Sequence, residues 1–321
     1  MVKKYYPNET KAARKARKTA EKAGKPQIRP SGKKSVDNAP TPVPAETVVP
    51  AVRNPRPQAV TSTKPVPMPT PKKPMPLREY AEGFGLDHNR YIVCLKHGTK
   101  YSAEYVNVLK RMVTRNMTLP FKFVCFTEDV NGLDSDIQTM PLPQRHDIAG
   151  WWWKPYFFST DLPLDGTILF MDLDVIVFEN IDKLFTYEPG RFCIIRDFNR
   201  MNAKGWNRMN SSVFRLETGQ HSHVYSNLIA DPINIRKRLH GDQDWLFEQI
   251  KSNFEFFPDE WLQSYKWEMR GKPPMTRDKN GIRNFMEPGE PNILPETSVA
   301  VFHGEPNPPQ SVDLWCKENW K

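Results

Sequence analysis

The chain has 321 residues and a formal charge of +9, from 46 Lys and Arg against 37 Asp and Glu. The charge is unevenly placed: residues 1–76 hold 17 basic and 4 acidic side chains (17 − 4 = +13), and residues 77–321 hold 29 basic and 33 acidic (29 − 33 = −4). This excludes a uniformly basic nucleic-acid-binding fold and leaves a basic tail on a mildly acidic body.

The tail, residues 1–76, reads as disordered. It holds 15 of the 31 prolines and no Leu, Phe, Trp or Cys. It cannot bury enough apolar surface to offset the entropy of ordering it. In Lys11-Ala12-Ala13-Arg14-Lys15-Ala16-Arg17-Lys18, alanine and straight side chains favour helix while like charges oppose it. From Pro40 to Pro76 the prolines make an extended, semi-rigid spacer. Two roles stand level: a solubilising extension, and a segment that binds a polyanion or an anionic membrane surface. Residues 77–86 read as a connector. No apolar h-region opens the chain, and no apolar run approaches the roughly 18–20 residues of a membrane helix, so a cytoplasmic location is expected.

Residues 87–321 form the globular domain, with all nine Trp and 17 of the 18 Phe. Tyr91-Ile92-Val93-Cys94-Leu95 reads as a buried strand. Ser102 to Arg115 places Tyr105, Val106, Leu109, Met112 and Val113 at helical spacing. Phe121–Phe126 is a second strand, and a short one follows near Ile137–Met140. Trp151 to Ser159 suits a helix, with Pro155 tolerable only in its first turn. Thr167–Met171 is a further buried strand. Continuous apolar strands alternating with helices point to an α/β fold with a mainly parallel sheet covered on both faces. Ligands of such sheets lie beyond the carboxyl ends of the strands. Met269 to Pro291, rich in Gly, Pro and charge, reads as a mobile loop or lid near that face. Cys94, Cys125, Cys193 and Cys316 show no CxxC spacing and read as buried, reduced thiols.

Phe170-Met171-Asp172-Leu173-Asp174-Val175-Ile176-Val177-Phe178 sets two carboxylates in an otherwise apolar run. At strand period, Asp172 and Asp174 point to the same side. Unpaired carboxylates there are costly, and a hard divalent cation relieves the cost, because Mg²⁺ and Mn²⁺ take oxygen ligands. The bland alternative is a pair of acids at a strand end, paired with arginines or capping a helix. His303 follows the apolar strand Val299–Phe302; it reads either as a metal ligand or as a loop-capping histidine. Asp242 starts the helical pattern of Trp245, Leu246, Phe247 and Ile250, and a plain N-cap is one reading of it.

The strand, Asp172-Leu173-Asp174, the second strand and the Asn180-Ile181-Asp182-Lys183-Leu184-Phe185 turn resemble GT-A-fold glycosyltransferases. The most similar group is that of glycogenin and the bacterial galactosyltransferase-like enzymes, which retain anomeric configuration. The resemblance continues in order through Trp153-Lys154, Met209–Phe214, His240–Leu246 and Val301–Pro308. It implies a GT-A-type sheet, a nucleotide-sugar donor, most simply a UDP-sugar, and Mn²⁺ or Mg²⁺ held by Asp172, Asp174 and His303. It implies that Lys154, Asn210, Asp172 and Gly304 contact the donor and that Asp242 and Gln243 stabilise the reacting sugar. Lys96–Tyr101 would form the nucleoside pocket, with Tyr101 stacking on the base. The family pattern has a lysine on the diphosphate where this chain has Asn307, so one positive charge is missing there. One of Trp151-Trp152-Trp153 would line an acceptor groove. Two rivals remain: a nucleotidyltransferase on a similar sheet, for which Lys96-His97-Gly98-Thr99-Lys100 is a poor phosphate loop, and an inactive polyanion-binding protein. The acceptor is unspecified; DNA or a membrane-associated glycan, met through the tail, are the candidates.

Overall fold

The computed structural model describes residues 89–321; the readings made for the tail, the spacer and the connector fall on residues 1–88 and lie outside it. Strand β1 (Arg90–Lys96), helix α1 (Ala103–Arg115), β2 (Lys122–Thr127) and β3 (Gln138–Met140) open the fold. Next come β4 (Thr167–Met171), β5 (Val175–Val177), α2 (Asp182–Thr186), β6 (Cys193–Arg196) and β7 (Met209–Glu217). The second half holds helices α3 (His223–Ala230), α4 (Pro232–Arg238) and α5 (Asp242–Ile250). It continues through β8 (Glu255–Phe256), β9 (Leu262–Ser264), β10 (Met275–Arg277), β11 (Arg283–Phe285), β12 (Val299–Val301) and α6 (Leu314–Asn319).

The main sheet has the order β3-β2-β1-β4-β7-β6-β8. Strands β3, β2, β1 and β4 are parallel, β7 runs antiparallel to both β4 and β6, and β6 pairs parallel with β8. Alternation along β1 divides the core. Ile92 and Cys94 face Val106, Leu109 and Met112 of α1. Tyr91 and Val93 face the other side, with Phe157, Phe158, Leu228 and Leu246. Both sides are covered, as continuous apolar strands require. Gly166 admits β4 to the sheet: its φ is +137°, and a Cβ there would lie 2.2 Å from the Asn89 carbonyl oxygen. All four cysteines are buried free thiols.

Two expectations change and a third is refined. Gly150–Phe158 is a 3-10 helix with Pro155 inside it. Proline has no N–H and its ring clashes with the carbonyl four residues back, so an α-helix cannot pass through Pro155; Ser159 N–H closes the last turn on Tyr156 O, three residues back, at 2.9 Å. The two strands on either side of the acid pair do not share one sheet. The chain leaves the main sheet after Met171, bends through Asp172-Leu173-Asp174, and enters a second sheet, β5-β12-β9. Finally, Met269–Pro291 is not a structureless loop. It contains the β10–β11 hairpin, and its ends are fixed on the buried Asp313 by the Arg270 guanidinium and by Gly289 N–H at 2.8 Å.

One cation gathers the backbone carbonyls of the segment after β5. Arg215 of β7 is fully buried. Its guanidinium donates to the carbonyls of Leu184 (3.1 Å), Phe185 (2.9 Å), Tyr187, Glu188 (2.6 Å) and Arg191 (3.1 Å). These are the carbonyls at and beyond the carboxyl end of α2, where the helix leaves acceptors without internal donors.

Candidate active site

Beyond the carboxyl ends of β1 and β4 lies a pocket of about 290 Å³, lined by Leu95, His97, Lys100, Tyr101, Gly150, Trp151, Lys154, Asp172 and Asp174. Both acids of the bend therefore face one cavity, although the two strands that flank them belong to different sheets. Asp172 is fixed at its backbone by donating N–H to Ser212 O at 2.7 Å. Its carboxylate takes the ammonium of Lys154 at 2.8 Å.

Lys154 is the centre of the cluster. It is 5% exposed, placed by the 3-10 helix that Pro155 enforces. Its ammonium also donates to Ser211 O at 3.1 Å and Ser211 Oγ at 3.2 Å. Burial opposes its charge, but Asp172, Asp242 and Asp174 outweigh burial and hold its pKa above the ordinary lysine value. Asp242, the first residue of α5 after the N-cap Gly241, is 4% exposed, and its Oδ2 has no hydrogen-bond partner. Burial raises its pKa, against the pull of Lys154 and a hydrogen bond from Ser211.

Asp174 is 7% exposed and accepts the Tyr101 hydroxyl at 3.0 Å. Burial, then the neighbouring Asp172 charge, push its carboxyl up to about 6. Burial, then Asp174 and Asp172, hold the Tyr101 phenol well above its usual value. The Tyr101 ring lies 4.8 Å from that of Tyr105, and the Lys100 ammonium sits 4.5 Å from its centroid. Asn210 is buried within β7, and its Oδ1 accepts Ser212 N–H at 3.0 Å. Gln243, second in α5, is half-buried, and no hydrogen bond joins its side chain to another described residue.

The second sheet carries the carboxyl-terminal part of the chain to the acid pair. Strand β12 is antiparallel to β5, with Val301 opposite Val175, and Phe302 N–H donates to Asp174 O at 3.0 Å. His303 is the next residue. Its Nε2 lies 2.6 Å from Ser264 Oγ, its ring stacks on Phe198 at 5.3 Å, and the Trp267 edge meets it at 4.7 Å. Burial, then the Lys266 charge, push the imidazole down to about 3, so it is neutral at physiological pH. Gly304 has φ +84°, and a Cβ there would meet only Lys266 Nζ, at 3.9 Å.

The residues present suit a hard cation in part. Two carboxylates converge on one cavity, and such ions complete their shells with water and substrate phosphates. Among the described residues, no three His, Cys, Asp or Glu side chains are gathered as a metal cluster. His303 stands beside the bend with Nε2 on the Ser264 hydroxyl. Asn307 is buried, and its N–H donates to Gln310 Oε1 at 2.9 Å.

Three contributors escape sequence reasoning. Ser211 fixes Lys154, and Ser264 fixes His303. Lys266, 5% exposed, donates to the carbonyls of His303 (2.7 Å), Gly304 (2.8 Å) and Glu305 (3.0 Å). Burial lowers its pKa to about 8, although Asp174 pulls the other way. No pattern around Lys266 marks it, because its partners are 37–39 residues away.

No protein-family model matches the sequence, and a search of curated proteins returns no match. Solved structures do match. The glycosyltransferase GlyE of Streptococcus pneumoniae TIGR4 aligns with a TM-score of 0.51 and 11% identity, over 73% of this chain and 60% of that one. Its apo form gives 0.51 and 14%, over 72% and 59%. The galactosyltransferase LgtC, in complex with donor and acceptor sugar analogs, aligns at 0.48 and 13%, over 68% and 88%. At such identities the likeness to GlyE is one of fold: a GT-A-like glycosyltransferase fold, with a mainly parallel central sheet flanked by helices. This chain spans about three fifths of the GlyE chain.

Proposed function

We propose that the protein is a glycosyltransferase that moves a sugar from a nucleotide-sugar, most simply a UDP-sugar, to an acceptor hydroxyl with retention of configuration. The observation that carries this reading is the buried Lys154 ammonium between Asp172 and Ser211, next to Asp242 and Asp174, at the floor of a cavity beyond the strand ends. Such a cluster concentrates charge where a phosphorylated ligand of this fold would lie.

Each residue then has a task. Asp172 and Asp174 would hold Mg²⁺ or Mn²⁺, with His303 joining them once it releases Ser264. When bound, that ion supplies Lewis-acid stabilisation of the diphosphate leaving group. Lys154 holds Asp172 and screens it from Asp242. The free Oδ2 of Asp242 accepts a donor-sugar hydroxyl and offsets positive charge that develops at the anomeric carbon. Asn210 has its Oδ1 engaged, which leaves its amide NH₂ to donate to the sugar. Gln243 sits half-exposed beside Asp242 and contacts the same sugar. Gly304 keeps the wall bare so that the backbone approaches phosphate.

The test is release of nucleoside diphosphate from a panel of UDP-sugars, with Mn²⁺ and with EDTA. The expected result is Mn²⁺-dependent release of UDP from one donor. Asp172→Asn/Asp174→Asn turnover should be lower by at least about 10²-fold, the scale of losing one preorganised charge-stabilising group. Undiminished turnover in that variant would sink the metal assignment. Release of pyrophosphate instead would identify a nucleotidyltransferase.

A further inference from the structure

A second cavity of about 290 Å³ is lined by Asn202, Lys266, Trp267, Lys272, Pro273, Met275 and Arg283. Three of these seven residues are cations and none is acidic. The first cavity, by contrast, has Asp172 and Asp174 in its wall. Lys266 links the two. Its ammonium feels Asp174 and Lys100 of the first cavity and Arg283 of the second. Trp267 packs its edge on His303 and also walls the second cavity.

The three cations are not equivalent. An ammonium has three donors. Those of Lys266 are all taken by the carbonyls of residues 303–305, so Lys266 fixes the loop and contributes charge alone. Lys272 spends one donor on Asn202 Oδ1 and lies 5.6 Å from the Trp267 ring centroid. Its φ is +57°, in the left-handed region that side-chain-bearing residues rarely adopt. The Arg283 guanidinium is exposed and forms no hydrogen bond or ion pair with any described residue; only its backbone N–H is engaged, on Glu305 Oε2 at 3.1 Å. Arg283, with five unengaged planar donors, and Lys272, with two, thus line a cavity that Trp267, Pro273 and Met275 also line. A flat apolar wall with a cationic rim matches a sugar ring that carries an oxyanion: the ring's C–H face on the indole, the anion on Arg283 and Lys272.

We propose that this second cavity is the acceptor subsite, and that the acceptor is a sugar bearing a phosphate or carboxylate group. This rests on the glycosyl-transfer reading, in which the donor occupies the acid-walled cavity. An anion is drawn to the cationic cavity and away from Asp172 and Asp174, so charge alone sorts acceptor from donor sites when the donor diphosphate is escorted by a cation.

Calorimetry on the full chain tests it, with glucose 6-phosphate, glucuronic acid, glucose and UDP (the last with Mn²⁺) as probes. The variant is Lys272→Ala/Arg283→Ala; both side chains are exposed, and equal melting temperatures confirm its folding. The basic tail is common to both proteins, so only their difference is read. The expected result is at least tenfold weaker binding of glucose 6-phosphate, of glucuronic acid, or of both, with UDP affinity unchanged within twofold. Which probe responds tells phosphate from carboxylate. Equal binding of both anionic sugars by the two proteins, or none by either, overturns the subsite. A parallel loss of UDP affinity also overturns it, because the cavity would then hold the donor's diphosphate. If the wild type takes the anionic sugar through Lys272 and Arg283 but binds no UDP and releases none from any UDP-sugar, the anion site stands and the glycosyl-transfer reading fails.

Discussion

Asp174 shows how one side chain couples the site to stability. In the folded chain burial and Asp172 push its carboxyl up to about 6, whereas an unfolded aspartate releases its proton near 4. Between about pH 4 and pH 6 the folded state therefore binds more protons than the unfolded one. Stability falls as pH rises through that window and levels off above it. Asp174→Asn removes the fall. In metal-free protein this variant should be more stable than wild type at pH 7, on the order of 2 kcal/mol, with the gain gone near pH 4. Urea denaturation at pH 4, 5.5 and 7 in EDTA checks it; a difference that does not change with pH would contradict the raised carboxyl. Asp172 and Asp174 were legible in the sequence because two carboxylates interrupt an apolar run. Lys266 was not, because its role is set by three carbonyls distant in sequence. Asn307 was legible as a departure, but its burial was not, since nothing local requires it.

At the scale of elements, Arg215 is the strongest single tie. Its guanidinium satisfies five carbonyls around the end of α2 and has no carboxylate partner among the described residues. Arg215→Leu removes the donor from the carbonyls of the buried Leu184 and Phe185 and of the half-buried Tyr187 and Arg191. A loss of about 3–5 kcal/mol is expected, the scale of breaking a buried charged contact. Arg215→Lys should recover less than half, because an ammonium cannot reproduce the planar fork. Chemical denaturation of both variants measures it, and a loss below 1 kcal/mol for Leu would refute the clamp. Strands β1, β2 and β4 and helix α1 were legible from apolar runs and helical spacing. Two features were not. Strand β5 reads as a second strand after the acids, but only tertiary pairing with β12 shows that it belongs to another sheet. The β10–β11 hairpin is three residues per strand, among prolines and charges, too short for its period to show.

For the whole molecule, the thiols are built-in reporters. All four cysteines are buried and free. Burial raises the pKa of Cys94, and pushes Cys193 and Cys316 up to about 11. Only a thiolate attacks a disulfide reagent, forming a mixed disulfide and expelling the reagent's other thiolate, so the native protein should react at none of the four and the urea-unfolded protein at all four. One fast-reacting thiol in the native state would show that the core opens locally. Charge is likewise a property of separate parts. Residues 1–76 carry +13 and the rest −4, so a polyanion bound through residues 1–76 would be released by salt, and the proposed donor turnover would respond less.

The switch of sheets at Asp172–Asp174 also has a consequence for how the protein is made. Strand β5 owes both its place and its partner to β12, more than a hundred residues later in the chain. A ribosome adding about 5–20 residues per second needs several seconds or more to supply that partner. Until then Val175-Ile176-Val177, wholly buried in the finished fold, has no strand to pair with in the second sheet, and the acid bend has only one of its two anchors. The nascent chain therefore carries an open, apolar edge, and the acid bend gains its second anchor only once β12 has been synthesised.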